Sequence, residues 1–184
     1  MKRLLFMILT FTAFALFTAC SGGNEPATEQ QAKTEKAVTP DPTEFTWYKD
    51  WDAGMAAAKK ENKPVIVDFY ADWCKFCIKM DKETFTAPEI KKRLSNDWIA
   101  IKIDTEDNSK TATFDGKTMN HQELVRHFGV TGFPTYHFID KTSKPIYPYP
   151  GYVPKETFGY ILDYFRDEIY TKNIKINDYI NSKS

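Results

Sequence analysis

Cys74 and Cys77 stand three positions apart, with Lys75 and Phe76 between them, and Cys20 is the only other cysteine in 184 residues. Two thiols at this spacing at the start of a helix lie on one face and can close a disulfide of about 2.05 Å with little backbone movement. A sulfur at a helix N-terminus also meets unsatisfied N–H groups and the positive end of the dipole, which favour thiolate, the attacking species in disulfide exchange. Lys75 adds a positive charge that favours the Cys74 thiolate if its ammonium approaches the sulfur. Two other readings of the pair compete with redox work. It could be half of a zinc site, but tetrahedral zinc needs further ligands; there is no second CxxC, and His121, His127 and His137 are scattered, so no metal is expected. It could be an inert staple, but so short a loop stabilises little. Cys20 apart, Cys74 and Cys77 are the two thiols left to pair with each other.

The elements that must hold this pair are legible around it. Trp51, Met55 and Ala58 fall at i, i+4 and i+7, which predicts an amphipathic helix running to about Asn62, stopped by Pro64. Val65-Ile66-Val67-Asp68-Phe69-Tyr70 is apolar on both faces except for one acid, the pattern of a buried central strand, and Asp68 is its anomaly. A helix follows Cys74. Thr86-Ala87-Pro88-Glu89 matches a capping box with Pro in the first turn of a further helix. Ile99, Ile101 and Ile103 alternate with Ala100 and Lys102 as a half-buried strand should. The polar stretch 104–119, with an Asp115-Gly116 turn, reads as a surface insertion. Asn120 to Glu123 can cap a helix carrying Leu124, Val125 and Phe128 and ended by Gly129. Thr135–Ile139 and Ile146–Tyr149 predict a hairpin across Lys141–Lys144, and Pro148 makes the second strand an edge. After Pro154, the spacing of Phe158, Ile161, Leu162 and Phe165 predicts a closing helix. A βαβ unit, a hairpin and a final helix make an α/β fold with a central mixed sheet flanked by helices.

Composition excludes several classes. The chain is 42% apolar and 15% aromatic, enough to bury a core, so wholesale disorder is ruled out. Three cysteines cannot staple a disulfide scaffold. Lys and Arg total 25 against 25 Asp and Glu, with no long basic run, so nucleic acid finds no electrostatic footprint.

The first twenty residues carry an address. Lys2 and Arg3 precede an apolar segment from Leu4 to Ala19, then Cys20, the layout of a secretory signal over 1–19. As a helix that segment would measure about 24 Å, short of a roughly 30 Å bilayer core. Residues 20–44 shift to Gly, Pro, Thr, Glu, Gln and Lys and read as a tether reaching about 25 to 30 Å. A folded domain is expected over 45–170, with 171–184 as a tail.

Leu16-Phe17-Thr18-Ala19-Cys20 resembles a bacterial lipobox, which implies lipidation of Cys20, attachment to a membrane, and a periplasmic or cell-envelope location; an ordinary secreted protein is the alternative. Ser21 after that cysteine resembles an outer-membrane address where there are two membranes. Val67 to Cys77, together with Gly132-Phe133-Pro134-Thr135, resembles the thioredoxin superfamily. Tyr70-Ala71-Asp72-Trp73-Cys74 and Thr84-Phe85-Thr86-Ala87-Pro88-Glu89-Ile90 narrow the resemblance to the periplasmic thioredoxin-like domain of the disulfide reductase DsbD and to SoxW-type envelope thioredoxins. The resemblance implies a thioredoxin fold and a thiol-disulfide oxidoreductase without cofactor. It implies Cys74 as exposed nucleophile, Cys77 as resolving thiol and Asp68 as the buried acid that takes the Cys77 proton. Pro134 is implied as a cis-proline, with Phe133 and Trp73 lining the substrate site, and Lys75-Phe76 as the pair that tunes the redox poise. The implied partners are disulfide-containing client proteins and, as electron donor, a membrane thiol carrier of the DsbD or CcdA type. An oxidase or isomerase running the exchange in the other direction, and a non-catalytic binding or metal-delivery module, stand as alternatives.

Overall fold

The computed structural model describes residues 45–183; the expected signal, Cys20 and the tether lie outside them. Helix α1 spans Trp51–Glu61, strand β1 Val65–Tyr70, helix α2 Lys75–Lys79 continued by a π turn at Met80–Thr84, and helix α3 Pro88–Asp97. Strand β2 covers Ile99–Asp104, β3 Thr111–Phe114, β4 Lys117–Asn120 and helix α4 His121–His127. Strands β5, Thr135–Ile139, and β6, Pro145–Pro150, precede helix α5, Lys155–Arg166, a 3₁₀ turn at Ile169–Lys172 and helix α6, Ile176–Asn181.

The main sheet has the order β2-β1-β5-β6, with β1·β2 parallel and the other pairs antiparallel. This is the mixed α/β architecture of a thioredoxin-like fold. The period of two in β1 sorts its side chains. Val65, Val67 and Phe69 pack with Trp51 of α1, Leu124 of α4 and its C-cap Phe128, whereas Ile66 packs with Tyr136, Ile90, Leu94 and Phe158 beneath α3 and α5. Asp68 shares the face of Ile66. Helix α1 approaches β2 so closely that a Cβ on Gly54 would sit 2.6 Å from the Ile101 side chain. At the far edge, Gly151 donates to the Pro134 carbonyl, so by alternation Tyr149 and Tyr147 turn their N–H groups inward while Pro148 and Pro150 occupy the outward positions. That edge presents few donors to a passing strand.

Four local expectations need correction. Segment 104–119 is no bare insertion: Thr111–Phe114 and Lys117–Asn120 pair as a hairpin that buries Ala112, Phe114 and Met119 beside Trp51, whose indole donates to the Thr113 carbonyl at 3.1 Å. Its alternation is too short to stand out among polar neighbours. The capping box at Thr86 does not form; Ala87 is the N-cap, and Thr86 turns its hydroxyl back to the Lys82 carbonyl at 2.7 Å, brought within reach by the π turn. The box at Asn120 and Glu123 does form. Strand β2 is buried on both faces rather than one, with Lys102 only 6% exposed, because residues 45–49 and the π turn cover its outer side. Residues past 170 fold back on α5, where the Tyr164 hydroxyl donates to the Ile174 carbonyl at 2.7 Å and Ile176, Tyr179 and Ile180 pack on the core.

Candidate active site

Strand β1 runs out at Tyr70, and the chain turns through Ala71-Asp72-Trp73, closed by the Cys74 N–H on the Ala71 carbonyl at 3.0 Å. Cys74 is the N-cap of α2 in extended backbone, and its sulfur accepts the Cys77 N–H at 3.1 Å. A buried N–H aimed at that sulfur favours negative charge on it. The two cysteines are joined in a disulfide with their Cα atoms 5.2 Å apart. Both are buried, Cys74 at 5% exposure, so the position implied as open to solvent is recessed behind Tyr70 and Phe133, which pack against it. The group that reaches the Cys74 sulfur is an amide; among the described residues no hydrogen bond from the exposed Lys75 is formed to it.

Around the recess stand aromatic side chains. Trp73 is 65% exposed and Phe76 59%, so Trp73 is a surface group beside the disulfide rather than a core aromatic. Its ring meets Phe133 edge-on at 6.1 Å, and its indole N–H donates to Glu106 Oε1 at 2.8 Å. Glu106 follows β2 on a loop pinned by the Thr105 hydroxyl and N–H to the Tyr70 carbonyl. The Phe133–Pro134 peptide bond is cis, and the loop is held by the Thr135 hydroxyl on the Gly132 carbonyl at 2.7 Å and by Gly151 on Pro134.

Asp68 is 1% exposed, two residues before Tyr70 on the same face of β1. Its Oδ2 lies 3.3 Å from Lys102 Nζ, while Oδ1 has no protein partner. Register explains the pair: β1 and β2 run parallel, and the fourth residue of one lies beside the fourth of the other. Lys102 also bonds Asp81 Oδ1 from the π turn, and its ammonium stands 4.8 Å from the Tyr70 ring centroid, 5.5 Å from Trp47 and 5.7 Å from Phe85. Burial pushes the Asp68 carboxyl up to about 6, the Lys102 charge opposing and the Asp81 charge adding to the rise. Burial likewise pushes the Tyr70 phenol up to about 12 and the Lys49 ammonium down. A carboxyl titrating near 6 can accept or return a proton near neutral pH.

Sequence reading missed Lys102, Asp81, Trp47 and Glu106. Lys102 had a signal, its position level with Asp68 in the neighbouring strand. Asp81 had a weaker one, four residues after Cys77 on a helical face. Trp47 and Glu106 lie in irregular chain and have none.

A family model described as a thioredoxin-like domain matches residues 51–166. The chain is similar to the thiol:disulfide interchange protein DsbD of Pseudoalteromonas atlantica, 37% identical over 97 residues, 53% of this chain and 15% of that protein. Against the same-named protein of Escherichia coli O6:H1 it is 32% identical over 129 residues, 68% of this chain and 21% of that protein. The chain thus spans about a fifth or less of the length of these relatives. A thioredoxin-fold protein from Helicobacter pylori superposes with a TM-score of 0.61 at 23% identity, over 67% of this chain and 85% of that one, a likeness of fold.

Proposed function

This chain belongs to the thioredoxin-like family, and from that premise we propose that it is a protein thiol-disulfide oxidoreductase of the cell envelope that reduces disulfides in exported client proteins. The Cys74 thiolate attacks one sulfur of a client disulfide; a Cys74–client disulfide forms and the other client sulfur leaves as thiolate. Cys77 then loses its proton to Asp68, and its thiolate attacks the Cys74 sulfur. The bond to the client breaks, the client leaves as a second thiolate, and Cys74–Cys77 remains as the disulfide. Two electrons pass to the client, and no cofactor takes part. A dithiol donor must return the pair to its reduced form, and a membrane thiol carrier of the DsbD or CcdA type fits that requirement.

The observation that carries this reading is the Cys74–Cys77 disulfide capping α2, with the Cys77 amide already aimed at the Cys74 sulfur. The carboxyl of Asp68, buried and pushed up to about 6, supports its role as proton acceptor. Trp73, Phe133 and the cis Pro134 line the approach and suit an extended client segment, whose backbone would pair beside Phe133. Phe76, exposed between the cysteines, and Lys75 take the tuning positions. Attachment through a lipidated Cys20 would keep the domain at a membrane surface, where the donor resides. Reduction of insulin disulfides with dithiothreitol as electron source tests the activity: wild type accelerates precipitation of the B chain and Cys74→Ser does not. Equal rates in both would end the catalytic reading. Equilibration against a glutathione series tests direction, since a strongly oxidising potential would favour an oxidase.

A further inference from the structure

The residues before α1 form a strap over the outer side of β2. Tyr48 donates to the Ala100 carbonyl and accepts from the Lys102 N–H, each at 2.9 Å, and so bridges Ile101 in parallel. This backbone clasp delivers Trp47, half-buried, against Phe85 at 4.9 Å and Phe45 at 5.1 Å, both edge-on. The indole thereby becomes one of three aromatic walls around the Lys102 ammonium, the other two being Tyr70 and the buried Phe85. Between these walls the ammonium holds Asp68 on one side and the surface carboxylate Asp81 on the other. Phe85 and Tyr70 are fixed by the core and by β1. Trp47 alone among the three rides on a segment held by edge hydrogen bonds.

Resting on the reading of Asp68 as proton acceptor, we propose that Trp47 is a positioning residue for the resolving step: held by the strap against the Lys102 ammonium, its indole keeps water off the Lys102–Asp68 pair that receives the Cys77 proton. The groups facing Asp68 are Lys102 from β2, Asp81 from the π turn, Lys49 from the strap, Tyr70 from its own strand and the Tyr136 hydroxyl from β5, which is buried and without a protein partner. Burial outweighs all of these charges in raising the Asp68 carboxyl. Opening the Trp47 wall admits water to both members of the pair, and two effects oppose each other. A wetter Lys102 attracts Asp68 less, which raises the carboxyl; a wetter Asp68 is easier to ionise, which lowers it. The second removes the larger cause, so the net movement is downward. A weaker base then takes the Cys77 proton less readily.

The test follows Cys74 carrying a glutathione mixed disulfide, formed by mixing the reduced full chain with oxidised glutathione, quenched in acid and resolved by mass. The rate at which Cys77 displaces glutathione is measured against pH in wild type, Trp47→Ala, Trp47→Phe and Asp68→Asn, with the Asp68 carboxyl resonance followed in parallel. Wild type is expected to show a midpoint near that of Asp68. Trp47→Ala should move both midpoints down by about one pH unit, and Trp47→Phe, which keeps an aromatic wall, should restore most of it. A loss of melting temperature in Trp47→Ala with both midpoints unmoved would overturn the proposal and leave Trp47 a packing residue. Should Asp68→Asn resolve the mixed disulfide as fast as wild type at every pH, the proton-acceptor reading itself fails, and the Trp47 role falls with it for that separate reason. Trp47→Phe alone decides the matter if Trp47→Ala does not fold: midpoints shifted as far as those of an exposed carboxyl in a chain that keeps this ring would refute the wall.

Discussion

Replacing Asp68 by Asn should make the folded protein more stable at neutral pH while slowing it as a catalyst. The carboxyl is raised from 3.8 to about 6, chiefly by burial. Each unit corresponds to about 1.4 kcal/mol, so holding Asp68 ionised above pH 6 costs the native state about 3 kcal/mol. The sign follows from proton uptake. Between 3.8 and about 6 the native state binds the proton more tightly than the unfolded chain, so the contribution of Asp68 is fully present below 3.8 and is lost as pH rises through 6. Asn removes the titration and keeps an oxygen for Lys102. Deleting one partner of a buried ion pair commonly costs about 3 to 5 kcal/mol by stranding the other charge. Here Lys102 is not stranded, since Asp81 still holds it at the surface end of the pair. The expected net gain is therefore about 2 to 3 kcal/mol at pH 7.5. Urea unfolding of the oxidised protein at a series of pH values reads it directly: the gap between Asn and wild type should be widest above pH 6 and close as pH falls towards 4. A variant that is less stable than wild type at pH 7.5, or a gap indifferent to pH, would refute the assignment of burial as the dominant effect on Asp68.

His137 should oppose this at the acid end. Its ring is buried among Phe69 and Phe128, both nitrogens lack side-chain partners, and burial, against a smaller opposing effect of the Phe128 backbone, pushes it down from 6.5 to about 4, so its contribution is present above 6.5 and lost as pH falls towards 4. His137→Phe should then retain about 2 kcal/mol more stability than wild type at pH 4.5 relative to their difference at pH 7.5, measured by urea midpoints; parallel pH curves for the two would refute it. Glu106→Ala frees the Trp73 indole, a bond worth about 1 kcal/mol, so the client KM should rise about fivefold with kcat nearly unchanged; a fall in kcat at constant KM would point instead to the chemical step. Cys20→Ser should abolish incorporation of labelled fatty acid and release the protein from membranes, and persistence of the label would place lipidation on another residue.

Local patterns held where no neighbouring segment competed for the same groups, and failed where one did or where the pattern was too short. The capping box at Asn120 formed, while the similar one at Thr86 did not, because a π turn upstream offered Thr86 a carbonyl instead. The hairpin at Thr111–Asn120 was hidden since only three of its side chains are buried, too few to print a period. Strand β2 looked half-solvated because nothing local announces that residues 45–49, far earlier in the chain, will cover it.

What the chain dictates by itself is everything that depends on neighbours in sequence: a buried strand from its unbroken apolar run, a dithiol from its spacing at a helix start, an edge strand from its prolines. The acid at position 68 was visible as an exception to such a run. Its consequence was not. Whether a carboxyl in a strand is pushed up to about 6 depends on which charges and which rings surround it, and those come from Lys102 on β2, Asp81 and Phe85 on the π turn and its C-cap, Trp47 before α1 and Tyr136 on β5. Electrostatic energy and desolvation act through space over a few ångströms, so only the packed chain could decide them.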